Sequence, residues 1–333
     1  MSDKDVQTHP LSGVIAIGES LVDVVVSADG RRTTEHPGGS PMNIALGLAR
    51  LNRPVTLVTH FGTDARGESI VRHLNGAGVT IAAGSLRDER TSTATAHLRA
   101  NGSAEYVFDL RWALPADAAI DGLPPTGAEL VHVGSIGAFL EPGGSAVLSL
   151  LRRMAERDDP PLILFDPNVR PSILRDHVAA VARFEHIAAL ASIVKLSDED
   201  AEWLYPGTSI ENATERILSL GPALVAVTRG GDGAVLATRT TRHAVPGVAV
   251  TVADTIGAGD SFMSALIDRV AGLRDSGVPV QALRDGRAFD AERLAAIGEY
   301  AVRCAAITVS RPGADPPTRA DVDAALRGGP TLP

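Results

Sequence analysis

The run Asp254-Thr-Ile-Gly-Ala-Gly-Asp-Ser-Phe-Met263 carries the most chemistry in this chain. Gly257, Ala258 and Gly259 have almost no side chain, so their backbone N–H groups can close on a bulky anion. An apolar, strand-like stretch from Val248 to Val252 leads into the run, and helical spacing (Phe262, Ala265, Leu266, Val270) follows it. A helix N-terminus directly behind the glycines adds positive partial charge to this anion hole. Asp260 sets a carboxylate beside it. An anion cradle next to a base can pass a phosphoryl group to an alcohol. Read alone, Asp260 is more simply a helix N-cap and the glycines are turn residues. The run lacks the Gly-x-Gly-x-x-Gly spacing of a dinucleotide fold and the Gly-Lys-Ser/Thr of a Walker loop.

A second constellation, Pro37-Gly-Gly-Ser-Pro-Met-Asn43, precedes the first strong helical pattern. Gly38 and Gly39 let backbone approach a polar ligand, Asn43 can both donate and accept, and Asp23 ends a strand. Carboxylates and amides together suit vicinal hydroxyls. A Gly-Gly turn with an Asn cap is the plainer alternative.

The elements that must position these groups read as follows. Apolar runs predict strands at 13–17, 21–26, 55–59, 79–82, 129–133, 161–165, 192–196 and 223–228. Helical spacing covers 42–51, 65–75, 145–156, 172–190, 198–204, 210–219, 259–271 and 291–307. Strands 91–98 and 105–110 with a turn at Asn101-Gly102 form a hairpin pattern. The regular alternation after residue 125 predicts a mostly parallel sheet covered on both faces. The early strands and the hairpin read as a small β appendage that can lie over the strand C-termini and exclude water. Residues 272–288 read as a surface loop, and little is expected of the segment after Asp315.

Bulk composition narrows the function. Hydrophobic residues make up 44% of 333, enough for a sizeable core, while aromatics are only 4%. A net charge of −9 disfavours general nucleic-acid binding. Cys304 stands alone, so no internal disulfide can form. The histidines show no zinc spacing, and Ser20 and Ser261 lack the partners of a hydrolytic triad. Residues 1–10 carry no apolar signal core and no run of about 18 apolar residues suggests a membrane span. A soluble, cytoplasmic protein with no nucleic-acid or membrane partner is expected. Exposed edges of the β appendage make a homodimer through it plausible.

Taken together, the two constellations make the chain resemble the PfkB (ribokinase-like) carbohydrate kinases. The resemblance runs in order through Pro37 to Leu51, Phe61-Gly-Thr-Asp-Ala-Arg-Gly67, Asp166-Pro-Asn-Val-Arg170, Val194-Lys-Leu-Ser-Asp-Glu-Asp200, Val227-Thr-Arg-Gly-Gly-Asp-Gly233 and Asp254 to Phe262. It implies a three-layer α/β/α sandwich with a mostly parallel central sheet and a small β-sheet lid. The kinase domain would span 13–317, with lid segments near 18–36 and 91–112 and tails at 1–12 and 318–333. Asp260 would be the general base, and Gly257, Ala258 and Gly259 the anion hole. Asp23, Gly38, Gly39 and Asn43 would hold the sugar, with Arg111 and Arg170 facing its pocket. Lys195, Ser197, Thr228, Gly230 and Gly233 would line the ATP site. Asp254, with carbonyls of Ile256 and the 310–313 loop, would hold a monovalent cation such as K⁺.

One departure stands out. Many relatives carry Asn-x-x-Glu, associated with Mg²⁺, where this chain has Ser197-Asp-Glu-Asp200. Asp200 keeps the carboxylate on a shorter stem, which a metal-bridging water can absorb. Gly18-Glu-Ser-Leu-Val-Asp23 resembles the start of fructokinases and 2-keto-3-deoxygluconate kinases, and ribokinases tend to lack that Glu. An Arg pair would suit an acidic sugar, because guanidinium binds carboxylate bidentately. Fructose is the leading acceptor, with ketodeoxygluconate or ribose as alternatives. A nucleoside kinase, or a sensor that binds sugar or nucleotide without catalysis, is more distant. A nicotinamide oxidoreductase is disfavoured by the missing fingerprint.

Overall fold

The computed structural model describes residues 13–99, 104–115 and 130–328. The first half runs β1 (Val14–Ile17), β2 (Leu21–Val26), β3 (Thr33–Gly38), α1 (Ser40–Arg50), β4 (Val55–Val58), β5 (Phe61–Gly62), α2 (Ala65–Ala77), β6 (Thr80–Ile81), β7 (Leu86–Arg87), β8 (Thr93–Leu98) and β9 (Ala104–Asp109). The second runs β10 (Leu130–Gly134), α3 (Gly143–Ala155), β11 (Leu162–Asp166), α4 (His177–Ala188), β12 (Ile193–Ser197), α5 (Asp198–Leu204), α6 (Ile210–Leu220), β13 (Leu224–Thr228), β14 (Ala234–Ala237), β15 (Arg242–Val245), α7 (Ala258–Asp275), α8 (Val280–Arg284), α9 (Ala291–Val309) and α10 (Arg319–Gly328).

The central sheet has the order β15-β14-β13-β12-β11-β10-β1-β4-β6. Its pairs are parallel except β13–β14 and β14–β15. Successive side chains on a strand point to opposite faces, and the core divides accordingly. Val14, Ala16, Leu162 and Leu164 pack with α1, α7 and α9, while Ile15, Ile17, Ile163 and Phe165 pack with α3 and α4. This is the predicted three-layer α/β/α sandwich. A separate sheet, β3-β2-β8-β9, is the small lid. Its β2 follows β1 after only three residues, so it springs from the C-terminal end of a central strand.

Several expected elements differ. Residues 248–252 do not form a strand. Pro246 offers no N–H to continue the β15 ladder, and Gly247 packs against the Gly231 carbonyl, with room there for no Cβ (1.9 Å). The segment therefore passes over the 230–232 turn unpaired. The predicted 172–190 helix begins only at His177, capped by Asp176. The 272–288 loop instead holds the end of α7 and all of α8. Strands β3, β5, β7, β14 and β15 have no counterpart among the expected elements. Residues 319–328 form α10, whose Val322 is buried in the core. The Asn101-Gly102 turn lies outside the described residues.

Candidate active site

The site begins with helix ends. Helices α2, α4, α6 and α9 are capped by the side chains of Asp64, Asp176, Ser209 and Asp290. Helices α3 and α8 start at prolines without a side-chain cap, and α1 and α7 start at Gly39 and Gly257, also with none. Their first-turn N–H groups are therefore left for something else. The two helices pack closely, with Gly47 of α1 against Ser264 of α7. This contact sets their N-termini side by side. Asp260, in the first turn of α7, is buried. Its Oδ1 accepts from Ser40 Oγ (2.5 Å) and its Oδ2 from Asn43 Nδ2 (2.9 Å). Two donors on one helix thus fix a carboxylate on the other.

Asp23 approaches from the lid. In the β2–β3 ladder Asp23 faces His36 and Leu21 faces Gly38. A Cβ on Gly38 would lie 2.1 Å from Asp23 Oδ2, so the carboxylate rests directly over that glycine. Burial, reinforced by the charge of Asp260, pushes the Asp23 carboxyl up to about 6 against the pull of His36 and Arg170. Asp260 and Arg170 therefore both lie close enough to act on Asp23. Glu19, just after β1, is buried, and burial pushes its carboxyl up to about 7. Its Oε2 accepts from Gly137 N (2.7 Å), tying the end of β1 to the turn after β10. Ser135 and Asn168, at the ends of β10 and β11, both hold left-handed backbone (φ 56° and 39°). Strain of that kind collects at functional sites.

Arg170 and Arg111 part company. Arg170 acts on Asp23 and Glu19. Arg111 pairs with Asp109 at 2.9 Å and acts on His60 instead. The two guanidinium groups do not flank Asp23 together.

A second group of the expected site residues lies along the C-terminal ends of β11, β12 and β13. Gly257 adopts left-handed backbone (φ 77°) to start α7. The next two residues, Ala258 and Gly259, open the helix. Lys195 Nζ would meet a Cβ on Gly259 at 3.0 Å, so an ammonium abuts this loop. Lys195 is itself buried and bonded to Asp166 Oδ2 (2.9 Å). Ser197 caps α5: its Oγ accepts from Asp200 N, and Asp200 Oδ2 accepts from Ser197 N. Asp200 Oδ1 accepts from Val169 N (2.8 Å). Asp200 therefore ties the 167–170 loop, through Oδ1, to the start of α5, through Oδ2. Thr228 ends β13, and Gly230 opens the following turn toward free space. Gly233 packs instead under the Val245 carbonyl.

Asp254 joins two loops, its Oδ1 accepting from Ile256 N and its Oδ2 from Gly313 N, each at 3.0 Å. Ala314 in turn lies against Gly257. Among the described residues no group of three or more His, Cys, Asp or Glu side chains is arranged to hold a metal ion.

Ser40 and Asp166 are functional-site neighbours that their motifs alone do not single out. The signal for Asp166 and Lys195 was present: each is a charge on an otherwise apolar strand. Nothing local marks Ser40, whose partner is 220 residues away.

A parallel sheet with a lid, a buried carboxylate and an uncapped helix end together define a ribokinase-like small-molecule kinase. The chain belongs to the pfkB family of carbohydrate kinases, whose family model matches residues 12–321. It is 30% identical over 284 residues to the fructokinase of Rhizobium leguminosarum bv. trifolii, covering 82% of this chain and 86% of that protein. It is 32% identical over 321 residues to Fructokinase-2 of Oryza sativa subsp. japonica, covering 91% and 90%. The fructokinase of Vibrio cholerae O395, solved with fructose, ADP and calcium ion, superposes with a TM-score of 0.78 at 26% identity, covering 95% of this chain and 99% of that one.

Proposed function

We propose that this chain transfers the γ-phosphoryl group of ATP to a primary hydroxyl of a free sugar, with fructose the leading acceptor. The observation that carries the reading is Asp260, held by Ser40 and Asn43 between Asp23 and the Gly257–Gly259 loop. Asp23 and Asn43 bind and orient the sugar hydroxyls. Asp260 takes the hydroxyl proton as the oxygen attacks. The uncapped N–H groups of α7 receive negative charge on the transferred group. The lid sheet keeps water from competing for it.

Mg²⁺, when bound, draws negative charge from the phosphates. Asp166 Oδ1, buried without a hydrogen-bond partner, and Asp200 offer it oxygen donors through water. Asp254 and the 310–313 loop are the proposed holders of K⁺. Exposed Tyr106 and Val107 on β9 support pairing of two copies through the lid. Among the described residues no helix is long and apolar enough to cross a membrane, and we place the reaction in the cytoplasm.

The test is an ADP-release screen with fructose, ketodeoxygluconate, ribose, tagatose and adenosine, with and without K⁺. Fructose is expected to give the highest kcat/KM. Arg170 beside Asp23 favours ketodeoxygluconate as second choice, since a guanidinium would pair its carboxylate. Preference for adenosine, or no ADP with any sugar, would sink the proposal.

Two predictions follow from Asp23. Below about pH 6 its carboxylate gains a proton and loses acceptor strength. The value of kcat/KM for the sugar should therefore fall about tenfold per pH unit on the acid side. Asp23→Asn should flatten that limb, which separates Asp23 from Glu19, and a profile unchanged by this substitution would rule Asp23 out. The second prediction is Gly38→Ala, which pushes a methyl group into the space of Asp23 Oδ2. Because the displaced atom ends a short, mobile side chain, the fold should survive. KM for the sugar should rise about 10–100-fold through loss of a charged hydrogen bond. An unchanged KM would remove Asp23 from the sugar site.

A further inference from the structure

Lys195 is an ammonium in an otherwise apolar strand. Its neighbours Ile193, Val194 and Leu196 are fully buried, and a buried lysine forgoes most of its hydration. The ion pair with Asp166 is itself buried, with side chains 5% and 1% exposed. That pair uses one of the three N–H donors of Lys195. Among the described residues no second protein acceptor bonds Nζ. Two unspent donors on a buried cation point to an acceptor that is not protein. The direction in which such an acceptor would lie is given by Gly259, against whose missing Cβ the ammonium rests at 3.0 Å. Gly259 belongs to the uncapped start of α7.

We propose that Lys195 is a catalytic residue whose ammonium holds the phosphoryl group while it passes from ATP to the sugar, and that Asp166 is the positioning residue that fixes this ammonium through Oδ2. The inference rests on the phosphotransfer reading above and adds a charge that reading did not include. In the step, a bond forms between the sugar oxygen and the γ-phosphorus, and the bond from that phosphorus to the β,γ-bridging oxygen breaks. ADP leaves with the electron pair, and the hydroxyl proton goes to Asp260. Lys195 gives up no proton. It meets the charge spread over the three equatorial oxygens. Burial opposes its ionisation, but Asp166, with Asp200 and Asp260 further off, outweighs this and pushes its pKa up. A glycine at 259 is then required for the ammonium as well as for the backbone, because a methyl group there would crowd Nζ.

A purely structural ion pair would tie β11 to β12 and nothing more. The two roles separate in Lys195→Met, assayed beside Lys195→Met/Asp166→Asn, which leaves no buried charge uncompensated where the single variant fails to fold. The readouts are kcat, KM for the sugar, ADP affinity by calorimetry, and the tightening of ADP by aluminium fluoride in the presence of sugar. We expect kcat to fall about 10²–10³-fold, as when one oxyanion donor is removed. KM for the sugar and ADP affinity should stay within about threefold, and aluminium fluoride should no longer tighten ADP. Lys195→Arg, which keeps the charge, should recover part of the turnover. A folded variant with kcat within about threefold of wild type, or one whose lost ADP affinity accounts for all of its lost activity, overturns the proposal. If wild-type protein makes sugar phosphate and the folded variant does so within about threefold of the wild-type rate, this inference alone fails. If wild-type protein makes none, the kinase reading fails first.

Discussion

Replacing Asp260 with asparagine is expected to lower kcat by about 10²–10⁴-fold, the usual contribution of a positioned general base. The substitution suits the test because the site can accommodate it. Asparagine keeps an oxygen for Asn43 Nδ2, and its amide can donate to Ser40 Oγ, which accepts as readily as it donates. Both contacts that now hold Asp260 survive in altered form, so the melting temperature should hardly move. What is lost is the ability to take a proton. KM for the sugar should change little, since Asp23 and Asn43 remain. A variant that melts like wild type and turns over like wild type would remove Asp260 from the chemistry and leave it as a helix-end residue.

The second large effect concerns stability. Asp268 lies two turns beyond Asp260 on α7 and is buried. Its Oδ1 accepts from Arg53 Nε and from a terminal nitrogen of Arg319, each at 2.8 Å, and its Oδ2 accepts from Tyr300 Oη at 3.1 Å. Arg319 also donates to Tyr300 Oη and to the Leu51 carbonyl. One carboxylate thus joins the end of α1, α7, α9 and α10. Asp268→Ala would leave two guanidinium groups facing each other with their shared partner gone. Breaking a buried pair in this way costs about 3–5 kcal/mol. The loss should appear as a lower urea midpoint at an unchanged slope. A loss below about 1 kcal/mol would mean that the four segments are held by apolar packing alone. The cluster touches no proposed ligand, so the folded fraction should keep its KM for the sugar.

How much of this was legible depends on distance along the chain. The buried parallel strands were plain because strands covered on both faces are apolar throughout, as in Leu162–Phe165. The 257–260 loop was plain because three small residues, an aspartate and a helical pattern are contiguous. Strand β3 was invisible: Thr33–Gly38 is polar and largely exposed, and it is extended because β2 pairs with it. The 248–252 run misled in the opposite sense. Its apolar residues suggest a strand, yet Val252 is 60% exposed because no neighbour is there to pair. Contacts between distant segments were beyond reach. Ser40 with Asp260, and Asp166 with Lys195, are close only because the sheet order brings their strands and helices together. The arginines show the same limit: the sequence does not reveal that Arg170 acts on Asp23 and Glu19 while Arg111 pairs with Asp109.

The most direct test of phosphotransfer to a sugar is product stoichiometry with wild-type protein. ATP, Mg²⁺ and fructose labelled with ¹⁸O at its primary hydroxyls would be incubated with the enzyme, and ADP and sugar phosphate counted by mass spectrometry. One sugar phosphate per ADP, with the label retained in the new ester and no ADP formed without sugar, is the predicted result. ADP accumulating without sugar phosphate, or a phosphate ester that has lost the label, would contradict it.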